Sequence, residues 1–222
     1  MMLTVACVWV AGQVPYTVDY VTRLESMARR VIARPFSFVC LTDRPSRVLE
    51  ADVEQRVSVI QIPKPSGGLF GWWSKVQLFN PYNELDDRRI LYLDLDTLLV
   101  APLDPIIDYP APFALAPHAG TFQPKNGLQV VRRFNSSVMV WDAGHCDRLF
   151  TAWSPAVAGR LWGDQDWIGE QMPDAAAMPL AWFPRLSEVH PPWPADAKVV
   201  LCKKPKNTEA AVRWPWFREA WV

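Results

Sequence analysis

The sequence predicts an α/β fold, with a mainly parallel sheet flanked by helices, in a single domain that spans residues 1–222. Apolar runs rich in β-branched residues alternate with a helical pattern over residues 3–62, in the order strand, helix, strand, strand. That order is typical of parallel sheets with covering helices. Residues 90–100 add two carboxylates inside an apolar run. Because ligands of such sheets bind beyond the carboxyl ends of the strands, these carboxylates indicate a site.

The first part of the chain carries one strand, one helix and two further strands. Residues 3–10 are short, β-branched and not preceded by a basic residue, so they predict a strand rather than a signal peptide. The following helix is indicated by apolar side chains on one face, namely Val21, Leu24, Ala28, Val31 and Ile32. Residues 36–41 and 57–62 predict the next two strands, because each is an apolar run that ends in turn residues.

The remaining elements follow the same patterns of apolar periodicity and turn residues. In chain order they are a short helix over 74–79, the strand that carries the acidic pair, a strand over 134–141, a helix near 146–158, a helix from Gly163 and a strand near 197–202. The aromatic tail over 214–221 has no basic cluster, so it predicts a helix docked on the core rather than a membrane anchor.

The composition argues against several classes of protein. Lys plus Arg and Asp plus Glu both total 23, so the chain has no overall charge to attract nucleic acid or an anionic membrane. Its four cysteines show neither C-x-x-C spacing nor a disulfide framework, which predicts a reduced, cytoplasmic protein without a zinc site. No apolar run approaches the roughly 18 residues of a membrane span, so no span is expected.

Asp94 and Asp96 form the strongest candidate site. Side chains two residues apart on an extended chain point the same way, so both carboxylates are expected to approach one cation at the strand end. Charged groups inside an apolar run are costly unless they are paired or bind a metal. Since carboxylate oxygens suit hard cations, we expect one hard cation at this position.

Two classes of enzyme place an Asp-x-Asp pair at the end of a strand. Haloacid-dehalogenase-type phosphatases use the first aspartate as the phosphoryl acceptor. Metal-dependent glycosyltransferases instead use the pair to hold the cation that bridges a nucleotide-sugar diphosphate. The phosphatase pattern requires the pair on the first strand and a later acidic pair, but a complete α/β unit precedes Asp94 and the later position is occupied by Ile168. The phosphatase stays open as an alternative hypothesis.

Four motifs occur in an order that favours the glycosyltransferase hypothesis. They are Trp73-Ser74-Lys75, Tyr92-Leu93-Asp94-Leu95-Asp96-Thr97, Phe134-Asn135-Ser136-Ser137-Val138-Met139 and Gly163-Asp164-Gln165-Asp166. This ordered set resembles the family-eight retaining glycosyltransferases, the group of glycogenin and the lipopolysaccharide galactosyltransferases, and is most similar to their short bacterial and phage members. The resemblance covers residues 3–207 and implies a GT-A fold, which is Rossmann-like.

The resemblance also implies a role for each matching position. Asp94 and Asp96 would hold the cation, which the resemblance implies is Mn²⁺ or Mg²⁺. Asp164 and Gln165 would be the catalytic residues and would face the reacting carbon of the donor sugar. The positions that would contact the donor are Val8, Trp9, Tyr16, Asp43, Lys75, Asp94, Asn135, Ser136, Lys203 and Lys204.

The C-terminal motif departs from the family pattern at Cys202, where the family has a histidine that binds the metal. A soft thiolate suits Mn²⁺ or Mg²⁺ poorly, so Cys202 is a doubtful third metal ligand. Two aspartates, with diphosphate and water oxygens, would then complete the coordination of the cation. The departure leaves open a second alternative, a non-catalytic protein that binds a nucleotide sugar.

The resemblance therefore implies a metal-dependent glycosyltransferase that moves a hexose from a nucleotide sugar, with UDP-hexose as the expected donor, and that retains the anomeric configuration. Residues 1–100 would form the nucleotide-binding half, and residues 101–222 would form the sugar and acceptor half with the C-terminal tail. The sequence leaves the acceptor open between a glycan, a lipid-linked sugar, a protein and a modified nucleic-acid base.

Overall fold

The computed structural model describes residues 3–12, 16–64, 71–83, 85, 89–118, 121–122, 130–131, 133–202, 208 and 210–221. The strands are β1 (Leu3–Trp9), β2 (Ser37–Thr42), β3 (Val57–Gln61), β4 (Arg89–Leu93), β5 (Thr97–Leu99), β6 (Phe113–Pro117), β7 (Thr121–Phe122), β8 (Val130–Val131), β9 (Phe134–Asp142), β10 (Ala176–Ala177) and β11 (Val199–Leu201). The α-helices are α1 (Asp19–Val31), α2 (Pro45–Ala51), α3 (Asp104–Ile107), α4 (Arg148–Thr151), α5 (Pro155–Arg160), α6 (Asp164–Gln171) and α7 (Pro215–Ala220). Two 3₁₀ helices lie at Gly71–Phe79 and Leu180–Trp182.

Within these residues, the main sheet has seven strands in the order β10-β6-β9-β4-β1-β2-β3. Neighbouring strands are parallel except around β9, which runs antiparallel to both β4 and β6. Two short ribbons pair β5 with β11 and β7 with β8. This mainly parallel sheet flanked by helices confirms the fold class that the sequence predicts.

Apolar residues cover both faces of the sheet, as is usual for parallel strands. Along β1, Val5 and Cys7 belong to the cluster that includes α1, whereas Ala6 belongs to a second cluster on the opposite face. The same alternation separates Leu91 from Tyr92 on β4. Because both faces are buried, these strands read as continuous apolar runs rather than as alternating polar and apolar residues.

Two helix predictions are corrected by the structure. The single helix expected near 146–158 is two short helices, α4 and α5, because Pro155 cannot continue a helix but is well suited to begin one. The helix expected over 74–79 begins at Gly71 and has the tighter 3₁₀ geometry. The aromatic tail forms a helix, as predicted, and the ring of Trp221 packs 5.4 Å from that of Tyr20 on α1. No helix in the described ranges is long and apolar enough to cross a membrane.

The sheet brings the predicted site residues to one edge. Strand β1 lies between β2 and β4 and is parallel to both, so the segments that follow Trp9, Thr42 and Leu93 meet at the carboxyl edge. Strand β11 reaches the same edge through its antiparallel pairing with β5. As a result, the Cys202 N–H donates to the carbonyl oxygen of Asp96 at 3.3 Å.

At the other end of β4, Arg89 anchors the segment that joins α3 to β6. The residue is only 6% exposed. Its guanidinium donates four hydrogen bonds of 2.7–2.9 Å, to the carbonyl oxygens of Ile107, Tyr109 and Ala111 and to the carboxylate of Asp142. Since Asp142 is the last residue of β9, one side chain ties β4, β9 and the connection before β6 together.

Replacing Arg89 by methionine would remove these donors and leave buried carbonyl groups unpaired. We expect Arg89→Met to lower the free energy of unfolding by about 3 kcal/mol, measured by chemical denaturation. The control is Arg160→Met, which breaks an exposed ion pair with Glu170 and should cost less than about 1 kcal/mol. Equal losses for the two variants would contradict the anchoring role.

Candidate active site

Asp94 and Asp96 lie in a turn between β4 and β5. The Asp94 N–H donates to the carbonyl of Ser137 at 2.8 Å, and the N–H and hydroxyl of Thr97 donate to the carbonyl of Asp94 at 3.2 and 2.7 Å. The extended backbone that the sequence analysis assumed here is therefore wrong, because hydrogen bonds from Thr97 close a turn. The two carboxylates nevertheless interact electrostatically. Burial, and then the negative charge of Asp94, raise the pKa of Asp96.

Asp96 is 7% exposed and accepts a hydrogen bond from the Tyr16 hydroxyl at 2.9 Å. Burial and the neighbouring Asp94 raise the pKa of Asp96 to about 6, so the carboxylate is mostly ionised at neutral pH. The backbone at Tyr16 is held in turn by Trp9, whose indole N–H donates to the Tyr16 carbonyl at 2.9 Å. Two residues predicted to contact the donor thus also orient a predicted metal ligand.

Lys75 lies at the centre of the site and connects three elements. Its ammonium is 2.7 Å from Asp94 Oδ1 and 3.7 Å from Asp164 Oδ2, and its side chain is 12% exposed. It also donates to the carbonyl and hydroxyl oxygens of Ser136, at 3.4 and 3.3 Å. Burial alone would lower the pKa of Lys75, but the charges of Asp164 and Asp94 outweigh burial and raise it. Lys75 is therefore a permanent cation between two carboxylates.

Asp164 and Gln165 begin helix α6, beside the Lys75 ammonium. Asp164 is 5% exposed, and burial raises its pKa above the ordinary value although Lys75 partly offsets the effect. Its Oδ2 atom is buried and accepts no hydrogen bond from the described part of the chain. Gln165 is half-buried. The Oδ2 atom of Asp164 has an ion pair with Lys75 but no hydrogen bond from the described residues, so it can still accept a hydrogen bond from a ligand.

Asn135 and Ser136 shape the start of β9 below these side chains. The amide oxygen of Asn135 accepts from the Ser137 N–H at 2.9 Å, and the Ser137 carbonyl accepts from the Asp94 N–H. Asn135 is therefore linked to the acidic turn through the backbone of Ser137. Ser136 is 4% exposed and holds Lys75 directly. Both residues were predicted at the site, and the structure brings them to it.

Val8 and Asp43 lie near the carboxyl ends of β1 and β2, where the family resemblance predicts the nucleotide. Val8 is half-buried near the end of β1. Asp43 follows β2, and its side chain is 3% exposed: Oδ1 accepts from the Ala11 N–H at 3.0 Å, and Oδ2 is 3.6 Å from the Arg44 guanidinium. Asp43 thus holds the segment that follows β1, and direct contact with a nucleobase stays a prediction.

Cys202 reaches the site, but with the properties of a buried neutral thiol. It is 1% exposed, and burial followed by the charge of Asp96 raises its pKa well above the ordinary value. A thiol that stays protonated is a poor metal ligand. Lys203 and Lys204, which directly follow it, lie outside the described residues.

Tyr92 also belongs to the site, although the sequence motifs predict no role for it. Its hydroxyl donates to Asp94 Oδ1 at 2.5 Å, and the Lys75 ammonium lies 5.3 Å from the centre of its ring. The spacing in the sequence could have indicated this role, because a residue two positions before Asp94 lies on the same side of a strand as Asp94. The hydrogen bonds of Thr97 to Asp94 carried no signal of this kind, because they depend on the turn.

The described residues contain no cluster of three or more His, Cys, Asp or Glu side chains that could hold a metal ion. Asp94 and Asp96 still offer hard oxygen ligands. A site of one or two carboxylates completed by substrate phosphates and water suits Mg²⁺ and similar ions. These two residues therefore fit a divalent cation that binds together with a phosphorylated substrate.

The charges of the site also favour a divalent cation. Three buried or half-buried carboxylates, those of Asp94, Asp96 and Asp164, face one ammonium, that of Lys75. With all four groups ionised, this set carries two negative charges more than positive ones. A divalent cation would balance that excess inside a poorly solvated site, where unbalanced charge is costly.

Comparisons with solved structures show which known proteins share this fold. No protein-family model matches this sequence, and no curated protein matches it. The chain is similar to the crystal structure of the galactosyltransferase LgtC in complex with donor and acceptor sugar analogues, with a TM-score of 0.68 and 14% sequence identity over 98% of this chain and 94% of that one. The structure of an active-site mutant of LgtC, in which a glutamine is changed to glutamate, matches with a TM-score of 0.67 and 12% identity, over 98% and 94% of the two chains.

A third similar structure is the bifunctional glycosyltransferase WbbM without ligand, with a TM-score of 0.60 and 12% identity. It is matched over 98% of this chain, which spans about half (51%) of the WbbM chain. At these identities the comparisons show a shared fold. That fold is the GT-A glycosyltransferase fold that the sequence motifs imply.

The central position of Lys75 predicts a specific pattern of stabilities. Lys75→Met leaves the half-buried carboxylate of Asp94 and the buried carboxylate of Asp164 without their counter-ion, and we expect it to lower the free energy of unfolding by about 3 kcal/mol. Adding Asp164→Asn should restore part of that loss, because one uncompensated charge is removed. Chemical denaturation at pH 7 measures both effects.

The control for this pattern is Lys64→Met, which changes the same side chain at an exposed position. Its effect should stay within about 0.5 kcal/mol. If the changes in the free energy of unfolding caused by Lys75→Met and Asp164→Asn simply add in the double variant, the two side chains are not coupled. The ion pair would then contribute nothing to the stability of the folded protein.

Proposed function

We propose that this protein is a metal-dependent glycosyltransferase of the family-eight type, which transfers a hexose from UDP-hexose and retains the anomeric configuration. The observation that carries the proposal is the convergence of Asp94 and Asp96 with the Lys75–Asp164 pair at the carboxyl edge of the sheet. The similarity of the fold to LgtC and WbbM supports the same proposal.

In this proposal Asp94 and Asp96 hold Mn²⁺ or Mg²⁺, which when bound supplies positive charge to the leaving diphosphate. Tyr92 and Lys75 fix one oxygen of Asp94, and Tyr16 fixes one oxygen of Asp96. Both carboxylates are thus oriented before any ligand arrives, which reduces the reorganisation that binding requires. Lys203 and Lys204 are proposed to add positive charge toward the diphosphate.

Asp164 and Gln165 are proposed to face the donor sugar. When the bond to the diphosphate breaks, the anomeric carbon gains positive character, and an electron-rich group nearby stabilises that charge. The Oδ2 atom of Asp164, which forms an ion pair with Lys75 but accepts no hydrogen bond from the described residues, offers such a group, and the amide oxygen of Gln165 offers a second. An active-site glutamine is the residue changed in the LgtC mutant structure, which supports a role for Gln165 at the start of α6.

The same proposal divides the chain into a nucleotide-binding half, residues 1–100, and a sugar and acceptor half, residues 101–222. A phosphatase is not favoured, because its nucleophile follows the first strand of the domain, whereas β1, β2 and β3 all precede Asp94. A non-catalytic protein that binds a nucleotide sugar stays a second candidate, because the protonated Cys202 leaves a cation with fewer protein ligands.

A test of the metal site is the rate of UDP release from UDP-glucose, UDP-galactose and UDP-N-acetylglucosamine with Mn²⁺. We expect Asp94→Asn and Asp96→Asn each to lower the rate by about 10²–10³, because a preorganised charge contact with the leaving group is lost. The control Asp174→Asn makes the same change at an exposed position and should keep the full rate.

Full activity of either aspartate variant would contradict the proposal. Release of inorganic phosphate from an aryl phosphate by the wild-type protein would favour the phosphatase instead. UDP-sugar binding without any turnover would favour the non-catalytic protein.

Cys202 offers a second test of the metal site. We expect Cys202→His to strengthen Mn²⁺ binding in the presence of UDP by about tenfold, because an imidazole nitrogen binds the ion whereas a protonated thiol does not. Isothermal titration calorimetry measures the affinity, and Cys202→Ala, which adds no ligand, should leave it unchanged. Unchanged affinity for Cys202→His would show that this side chain does not face the cation.

A further inference from the structure

Trp72 differs from the other aromatic residues near the site in being both exposed and held in place. Trp72 is 54% exposed, whereas the adjacent Trp73 is 3% exposed and lies in the core. The indole N–H of Trp72 donates to the carbonyl oxygen of Trp162 at 2.9 Å. Isolated exposed apolar side chains are common on protein surfaces. A large exposed ring in a fixed orientation is less usual, because its hydrogen bond limits rotation.

Two features place Trp72 next to the proposed active site, namely its spacing from Lys75 along the helix and the contact of its ring with Gly163. On a 3₁₀ helix, side chains three positions apart lie on one side, about 6 Å apart along the axis, so Trp72 is aligned with Lys75. The indole also covers Gly163, where an added Cβ would lie 3.2 Å from its Nε1 atom. Gly163 directly precedes Asp164. Trp72 therefore lies on the 3₁₀ helix that supplies Lys75, and its ring contacts the residue that precedes Asp164.

Trp72 lies on the outer side of this arrangement. The side chain of Lys75 is 12% exposed and that of Asp164 is 7% exposed, whereas Trp72 is 54% exposed, so the ring is far more accessible than the groups proposed to meet the donor. A second substrate that arrives from solvent can therefore contact the ring while the donor occupies the buried groups. The position of Trp72 thus suits an acceptor better than the donor.

We propose that Trp72 is the platform on which the acceptor's terminal sugar ring stacks, an inference that rests on the proposed glycosyltransferase function. The C–H groups on one face of a pyranose carry partial positive charge, and the face of an indole is the negative side of its quadrupole. The contact is apolar and has little directional requirement, which suits a sugar whose hydroxyl must still reach the anomeric carbon. The acceptor class is therefore a carbohydrate, either free or attached to a lipid.

A nucleic-acid base would also stack on an indole, but the charges oppose a polyanion here. The chain has equal numbers of basic and acidic residues, 23 of each, and the site carries an excess of carboxylates. Proteins that bind single strands combine stacking rings with a positively charged groove. Trp72 instead contacts Gly163, the residue that directly precedes the carboxylate of Asp164.

The test compares wild type with Trp72→Ala and Trp72→Phe in UDP release from the active UDP-hexose, at saturating donor and with Mn²⁺. Methyl glucoside, methyl galactoside and methyl N-acetylglucosaminide serve as free-sugar acceptors, octyl glycosides as lipid-like ones, and a single-stranded oligonucleotide as the nucleic acid. We expect Trp72→Ala to raise the KM for the active glycoside by about tenfold. Trp72→Phe, which keeps a smaller aromatic face, should raise it less and guards against a folding defect in the alanine variant.

Trp214→Ala is the matched control, because Trp214 is also an exposed tryptophan, at 45%, but belongs to the tail beside α7. Its KM for the glycoside should equal that of wild type. A Trp72-dependent KM with methyl glycosides would support a free glycan, and one seen with octyl glycosides alone would support a lipid-linked sugar.

Three results would overturn the assignment: an unchanged KM in Trp72→Ala, faster UDP release with the oligonucleotide but with no glycoside, or no acceleration by any acceptor while wild type still hydrolyses the donor. UDP release by the wild type, with or without an acceptor, reports on the proposed function separately. If the wild type released no UDP under any of these conditions, the glycosyltransferase proposal itself would be contradicted, whereas UDP release without a Trp72 effect would contradict only the role of Trp72.

Discussion

The ammonium of Lys75 is the contact on which the rest of the site depends. It lies between Asp94 on the β4–β5 turn and Asp164 on α6, and it also binds Ser136 on β9. Three elements with different packing partners are thereby held at one point. Without this cation, carboxylates that are largely removed from water would have no counter-charge, and the edge of the sheet would have to open or the carboxylates take up protons.

The balance of charge links this structure to the proposed chemistry. The three carboxylates exceed Lys75 by two charges, which a divalent cation would neutralise. A nucleotide diphosphate would then bring negative charge of its own, and the basic Lys203 and Lys204 follow directly on the strand that reaches Asp96. In this view, cation and donor bind favourably together because each compensates the charge left by the other.

The sequence predicted the sheet better than the helices and turns. Strands β1, β2, β3, β9 and β11 lie close to their predicted bounds, because two buried faces require apolar, β-branched runs that are visible without any tertiary contact. The residue pattern predicts an extended backbone at Asp94 and Asp96, because the hydrogen bonds from Thr97 that close the turn leave little trace in a pattern of residue types. The division of α4 from α5 is marked in the sequence by Pro155.

The sequence by itself determined that a strand ends in two carboxylates, that four polar motifs follow in a set order and that the core is apolar enough for an α/β sheet. These are local properties of composition and spacing. Only the tertiary structure decided that Tyr16 binds Asp96 across 80 residues of sequence, that Lys75 joins Asp94 to Asp164, and that Cys202 is a neutral buried thiol. Such pairs depend on which strand ends are brought together and on how far each group is removed from water, and neither quantity is encoded in residue spacing.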